Sequence, residues 1–179
     1  MPKKPKADTS WITDDLINAL AFRESSMNPN AVNKESGASG LYGWMPAYFE
    51  KGLEVGFGVD KGPFDPFDPV ESRKRTRQYL EGLQKYYPEW DPTEVLTAYN
   101  WGHSNVKKFR EGTWEGDIES RAFKEAMNYA PLIYKHMEEQ PYKDLLYRLG
   151  EPEQIQDLLD RGEPSTYMLL DEDPFESTI

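Results

Sequence analysis

A single carboxylate, Glu24, is the residue in this sequence best placed to move a proton. It follows Ala21-Phe22-Arg23 and precedes Ser25-Ser26. Ile17, Leu20 and Glu24 are spaced i, i+3, i+7. At about 100° per residue, Glu24 lies within roughly 40° of both apolar side chains on one helical face. A glutamic acid set against apolar neighbours is disfavoured as an anion, so its proton is retained toward neutral pH. Such a group is suited to general acid catalysis, for instance on a glycosidic oxygen. The competing reading is a solvated glutamate at a helix C-terminus.

The elements that must position Glu24 follow from the pattern around it. A first helix is expected to start near Thr13, with Asp14 and Asp15 in its first turn, and to end at Asn28-Pro29. Residues 28–68 hold seven glycines and four prolines and little helical periodicity, with room for a short helix at Pro46–Lys51. A connection this long is more often functional than idle. Asp68-Pro69-Val70-Glu71 and Asp91-Pro92-Thr93-Glu94 each read as a capping box opening a helix. The first helix runs to about Tyr86 with Tyr79, Leu80 and Leu83 inward. The second carries Val95, Leu96, Ala98 and Tyr99 and stops near Gly102. A further helix covers about 120–138, with Phe123, Met127, Ala130 and Ile133 or Tyr134 as its apolar stripe and a kink at Pro131. Short helices at 142–149 and 153–159 and an acidic tail near Leu170–Glu176 complete the reading. The expected fold is mostly α. It is a single domain at 10–138, preceded by a flexible tail at 1–9 and followed by a C-terminal extension at 139–179.

Composition narrows the function. The 179 residues suit one domain with a usable core. A net charge of -11 argues against nucleic acid, which needs clustered Lys and Arg. The absence of cysteine excludes disulfides, thiolate metal sites and a cysteine nucleophile. Two histidines, His103 and His136, have no ligand pattern and are read as structural or surface residues, so no metal or other cofactor is expected. No segment is apolar and long enough for a membrane span, and the basic start lacks the apolar core of a secretory signal.

Several segments in order resemble the catalytic domain of soluble lytic transglycosylases, related in fold to goose-type lysozyme. They are Glu24-Ser25, Asn28-Pro29-Asn30-Ala31, Gly37-Ala38-Ser39-Gly40-Leu41 with Met45-Pro46, then Ala98-Tyr99-Asn100-Trp101-Gly102, then Glu125 four residues before Tyr129. Tyr79-Leu80 and Leu83 match the helix between the first two groups. The resemblance covers about residues 10–138 and implies a lysozyme-like fold. There are departures. Tyr42-Gly43 stands where the family has Met-Gln, one extra residue separates Ala31 from Gly37, and Ala126-Met127 replaces Thr-Arg.

The resemblance implies Glu24 as the catalytic acid and base, acting on peptidoglycan glycan strands. It supplies no second catalytic carboxylate. It implies instead that the acetamido group and 6-hydroxyl of N-acetylmuramic acid take part, giving a 1,6-anhydro product. Ser25, Tyr42, Trp44, Tyr99, Asn100, Glu125 and Tyr129 are the candidate substrate-binding residues. Each has an alternative. Ser25 bonds Glu24 or caps the helix end. Tyr99 partners Glu24 or the acetamido group, or packs in the core. Asn100 bonds sugar or backbone. Glu125 orients backbone or tyrosines rather than reacting. Tyr129 lines the cleft or packs. Tyr42, Trp44, Tyr48 and Trp101 are stacking platforms or core aromatics. A muramidase using water, and a virion structural module without activity, are the rival functions. Action at the cell wall or periplasm without an export signal suggests a virion-associated protein or another delivery route. The C-terminal extension would then dock to virion or secretion-apparatus partners.

Overall fold

The computed structural model describes residues 6–51 and 56–141. Among the described residues, six helices account for the regular structure: α1 (Asp14–Ser25), α2 (Pro46–Phe49), α3 (Pro69–Tyr86), α4 (Pro92–Trp101), α5 (His103–Arg110) and α6 (Arg121–Glu139). No β-strand occurs among the described residues. Two isolated antiparallel bridges, Val32–Ser39 and Ser39–Trp44, fold the segment after α1 back on itself. The architecture is mostly α and compatible with a lysozyme-like domain. The short helices and acidic tail expected beyond residue 141 lie outside the described residues.

The caps explain where the helices start. Thr13 Oγ1 accepts from the Leu16 amide (3.3 Å) at the head of α1. Asp91 and Glu94 form the complete reciprocal box on α4. On α3 only half the expected box exists. Asp68 accepts from the Val70 and Glu71 amides, but the Glu71 carboxylate turns outward to Arg75 Nε (2.6 Å). The guanidinium is the stronger donor, because both partners are charged.

α1 ends earlier than Asn28-Pro29 suggests. Ser26 and Met27 adopt φ of 53° and 67°, and their amides return to the Phe22 and Ala21 carbonyls. Left-handed residues closing the last turn are a common helix stop. α5 is absent from the sequence expectation, which stopped at Gly102. Gly102 takes φ of 87°, ends α4 and opens α5 at once, so the chain turns without a loop to mark it. α6 continues as one helix through Pro131. Its buried stripe is Ala126, Tyr129, Ala130 and Ile133, with Tyr134 exposed.

The core is built where these stripes meet. Leu16, Ile17 and Leu20 of α1, Leu80 and Leu83 of α3, Val95 and Leu96 of α4 and Ile133 of α6 are fully buried. α6 packs against both α1 and α4. The connection at 56–68 is tied to α3 by Arg75, which donates to the Asp60 and Gly62 carbonyls and covers the Phe64 ring. Lys74 adds an ion pair to Asp60 (2.6 Å). No helix among the described residues is long and apolar enough to cross a membrane.

Candidate functional site

Glu24 occupies the last turn of α1, at the floor of a cleft enclosing about 420 Å³. The walls come from four places. Tyr42, Gly43, Trp44 and Met45 lie on the connection after α1, Tyr48 is on α2, Tyr79 on α3, and Tyr99, Asn100 and Trp101 on α4, with Gly102 following. Glu24 is the sole carboxylate among the described residues lining this cleft. Leu20 and Ile17 lie buried one and two turns below it. Burial of its own carboxyl pushes Glu24 above the ordinary carboxylate value. The Tyr129 hydrogen bond and the Arg23 charge act against the rise, and the Glu125 charge adds to it. Desolvation dominates, so the group holds its proton to higher pH.

Two tyrosines share the work of holding the site. Tyr129, fully buried on α6, donates its phenol proton to Glu24 Oε1. Tyr99 donates to the Tyr42 carbonyl (2.7 Å) and so fastens the connection to α4. The rings stack with centroids 6.3 Å apart. Burial, the leading cause, and the Glu24 charge hold both phenols well above their ordinary value, which keeps them neutral donors.

Glu24 Oε2 faces the loop. A Cβ placed on Gly43 would stand 2.9 Å from it. Gly43 has φ of 62°. The neighbouring Tyr42 side chain points away into the core, where its hydroxyl accepts from Arg73 (3.4 Å). Arg73 in turn donates to Asn18 (2.8 Å) and pairs with Asp14 (2.9 Å).

The structure separates the sequence candidates. Glu24, Tyr42, Trp44, Tyr99 and Asn100 come together at the cleft; Ser25, Glu125 and Tyr129 are not among the residues lining it. The Ser25 hydroxyl donates to the Ala21 carbonyl (2.8 Å), which serves the helix end rather than Glu24. Glu125 is half exposed and pairs with Arg23 at 3.7 Å; Arg23 also lies over the Tyr129 ring. Tyr129 supports the acid from below instead of facing the cleft. Tyr42 and Trp44 are only 2% and 6% exposed, and a sugar platform needs an open ring face. Trp44 is a core residue, its indole N–H donating to Thr76 (3.2 Å). Asn100 is exposed on the rim, and Tyr48, Tyr79 and Trp101 present the partly open rings.

Both histidines make ring contacts, His103 with Phe57 and with the Tyr87 hydroxyl (3.0 Å), His136 with Phe22. Sequence reasoning missed Arg23 and Arg73, whose partners lie on other helices. It noted Gly43 only as a departure; its closeness to Glu24 has no local signal. No cluster of three or more His, Cys, Asp or Glu suited to a metal occurs among the described residues.

No curated protein matches the chain. No solved structure matches it. The model of one family, described as the transglycosylase SLT domain, matches residues 3–121, about two thirds of the chain. The matched span carries Glu24, Gly43, Tyr99 and Asn100 but stops where α6 begins, so Tyr129 lies beyond it. With that match over a cleft built on a single carboxylate, the chain belongs to the transglycosylase SLT domain family, whose members are lytic transglycosylases acting on peptidoglycan.

Proposed function

We propose that this protein cleaves the β-1,4 bond between N-acetylmuramic acid and N-acetylglucosamine without net hydrolysis, with Glu24 as the one acid and base. The observation that carries this reading is the single carboxylate in the cleft. Retaining and inverting glycosidases that work through the protein alone need a second carboxylate across the bond. With one, the substrate must supply the groups that stabilise and attack C1.

The steps balance without water. Glu24 gives its proton to the glycosidic oxygen as the C1–O bond breaks, and the N-acetylglucosamine side leaves with a free 4-hydroxyl. The acetamido oxygen of the muramic acid residue stabilises the positive charge at C1. The 6-hydroxyl of the same sugar then forms the new bond to C1 and returns its proton to Glu24. The product is the 1,6-anhydro sugar, and the enzyme is regenerated as the acid. The raised pKa of Glu24 serves the first step, because the acid must be protonated when substrate binds. Asn100 on the rim is suited to hydrogen-bond the sugar, and Trp101 and Tyr48 to lie against its apolar faces.

Mass spectrometry of sacculi digested by the purified protein tests this directly. Muropeptides ending in anhydro-muramic acid are expected. Reducing ends alone would mean that water is the nucleophile.

A further inference from the structure

We propose that Trp101, Phe109, Trp114 and Phe123 form a second saccharide subsite, a platform outside the cleft that takes a sugar ring of the same glycan strand away from the scissile bond. The platform rests on the glycan reading of the cleft given above and adds to it a preference for long strands. Trp101 packs against the core, whereas Phe109, Trp114 and Phe123 stand outside it among the described residues. Phe109 is 45% exposed, and Trp114 and Phe123 are partly open. These rings gather on one another. Trp114 stacks on Phe123 with centroids 4.9 Å apart and planes at 22°. Trp101 meets both edge-on, at 5.1 and 5.7 Å, and Phe109 lies 5.4 Å from Phe123. A cluster of apolar rings left facing water is unfavourable until something covers it, and marks a contact surface.

The rings are held in place by the backbone around them. The Thr113 and Trp114 amides both donate to the Lys108 carbonyl (2.9 and 3.2 Å), which pins the chain after α5. The Trp114 indole then lies against Gly116, where a Cβ would stand 2.1 Å from a ring carbon. Asn105 donates to the Trp101 carbonyl (2.8 Å) at the corner between α4 and α5. Trp101 joins the cluster to the site. It borders the cleft over Glu24 and also touches Phe109, Trp114 and Phe123. One aromatic surface therefore runs from the cleft to the end of α5 and the start of α6. A glycan strand is a polymer, so the units flanking the cleaved bond must leave the cleft across its rim. The surface they meet here is aromatic rather than aliphatic, and ring faces match the C–H faces of sugars. Charge points the same way. The exposed residues flanking these rings in the chain carry both signs, Lys108 and Arg110 against Glu115 and Asp117, which favours a neutral sugar ring over a charged partner.

The experiment compares W114A, F109A and a control, Y134A, each alone and combined with E24Q. Tyr134 is also exposed (39%) but stands outside the cleft and the cluster among the described residues. Retention of the E24Q proteins on purified glycan strands reads binding without turnover. Cleavage of long strands and of tetrasaccharide fragments by the active proteins reads length dependence. Retention should weaken roughly tenfold in W114A and F109A, the effect of losing one ring contact. On long strands KM should rise by about the same factor with kcat unchanged, because the contact is made equally before and during reaction. On tetrasaccharides both variants should match wild type, and Y134A should match it on every substrate. F109A, whose ring is at the surface, keeps the test open should W114A fail to melt as a folded protein. Unchanged retention and KM on long strands in both variants overturns the platform and leaves the transglycosylase reading standing. Equal losses on long and short substrates also overturn it, since Trp101 would then have lost its seat in the cleft. A change of oligomeric state in W114A, seen by light scattering with retention unchanged, overturns it in favour of a contact between copies. Absence of anhydro ends with the wild-type protein would overturn the transglycosylase reading alone, because retention by the E24Q proteins needs no turnover.

Discussion

Replacing Tyr129 by phenylalanine removes one oxygen atom from beneath Glu24 and leaves the ring in the core. In the native protein that phenol donates to Glu24 Oε1 and opposes the effect of burial on the carboxyl. A hydrogen bond to the carboxylate is worth about 1.5–3 kcal/mol, and one to the neutral acid about 0.5–1.5 kcal/mol. Deleting the donor thus penalises the anion over the acid by about 1–1.5 kcal/mol. At about 1.4 kcal/mol per decade, ionisation of Glu24 becomes roughly five- to tenfold less favourable. The alkaline limb of kcat/KM, which reports the acid in the free enzyme, should move to higher pH. The rate at the optimum should fall roughly ten- to a hundredfold, because Oε1 is no longer held and the acid is misaligned. Solubilisation of labelled sacculi across a pH series measures both effects, with thermal melting as the check on folding. A folded Y129F protein whose alkaline limb is unmoved, or moves to lower pH, refutes the role assigned to Tyr129.

Three further outcomes are expected. E24Q should lose lytic activity yet gain stability with pH: the wild-type carboxyl has a raised folded pKa, so the stability tied to its proton is complete below the ordinary carboxylate value and lost as pH rises through the raised one. The melting advantage of E24Q should be absent in acid and open on approach to neutrality, about 2–4 °C for each kcal/mol; equal gaps at both ends would contradict the buried-acid picture. Y99F leaves the Tyr42 carbonyl without its donor, which should cost about 1–3 kcal/mol in denaturant unfolding and lower kcat by loosening the loop over Glu24; unchanged stability would show that the bond at 2.7 Å is replaced by solvent. L20A empties a fully buried site under the acid and should cost about 2–5 kcal/mol, and a loss under 1 kcal/mol would mean that α1 is not packed as described.

The helices were legible in the sequence where caps and stripes coincide. Thr13, Asp68 and Asp91 mark three starts by side chains that bond their own backbone, a local event. Ile17, Leu20, Leu80 and Leu96 are buried as their spacing implies, because periodicity selects one face of a helix. α5 was not legible. Its start is a change of direction at one glycine, and its single buried residue, Val106, leaves no stripe to read. The early end of α1 was hidden for a similar reason: Ser26 and Met27 close the helix in a left-handed conformation that neither residue type advertises.

At the site, sequence alone singled out Glu24 as the candidate acid, since it is tied to Ile17 and Leu20 by helical geometry and to its companion motifs by order. It did not determine what each tyrosine does. Tyr99 and Tyr129 differ in role because they stand on different helices, α4 and α6, whose packing takes one phenol to the Tyr42 carbonyl and the other to Glu24. Tyr42 and Trp44, both plausible sugar platforms by type, are taken into the core by Arg73 and Thr76 on α3. Gly43 shows the division most clearly. Its lack of a side chain is written in the sequence, but the meaning of that lack depends on a distance to Glu24 across 19 positions of chain. Local pattern fixes helices and faces through bonds between near neighbours. Which oxygen of the acid is held, and which is left open, is decided only when three helices and a loop pack together.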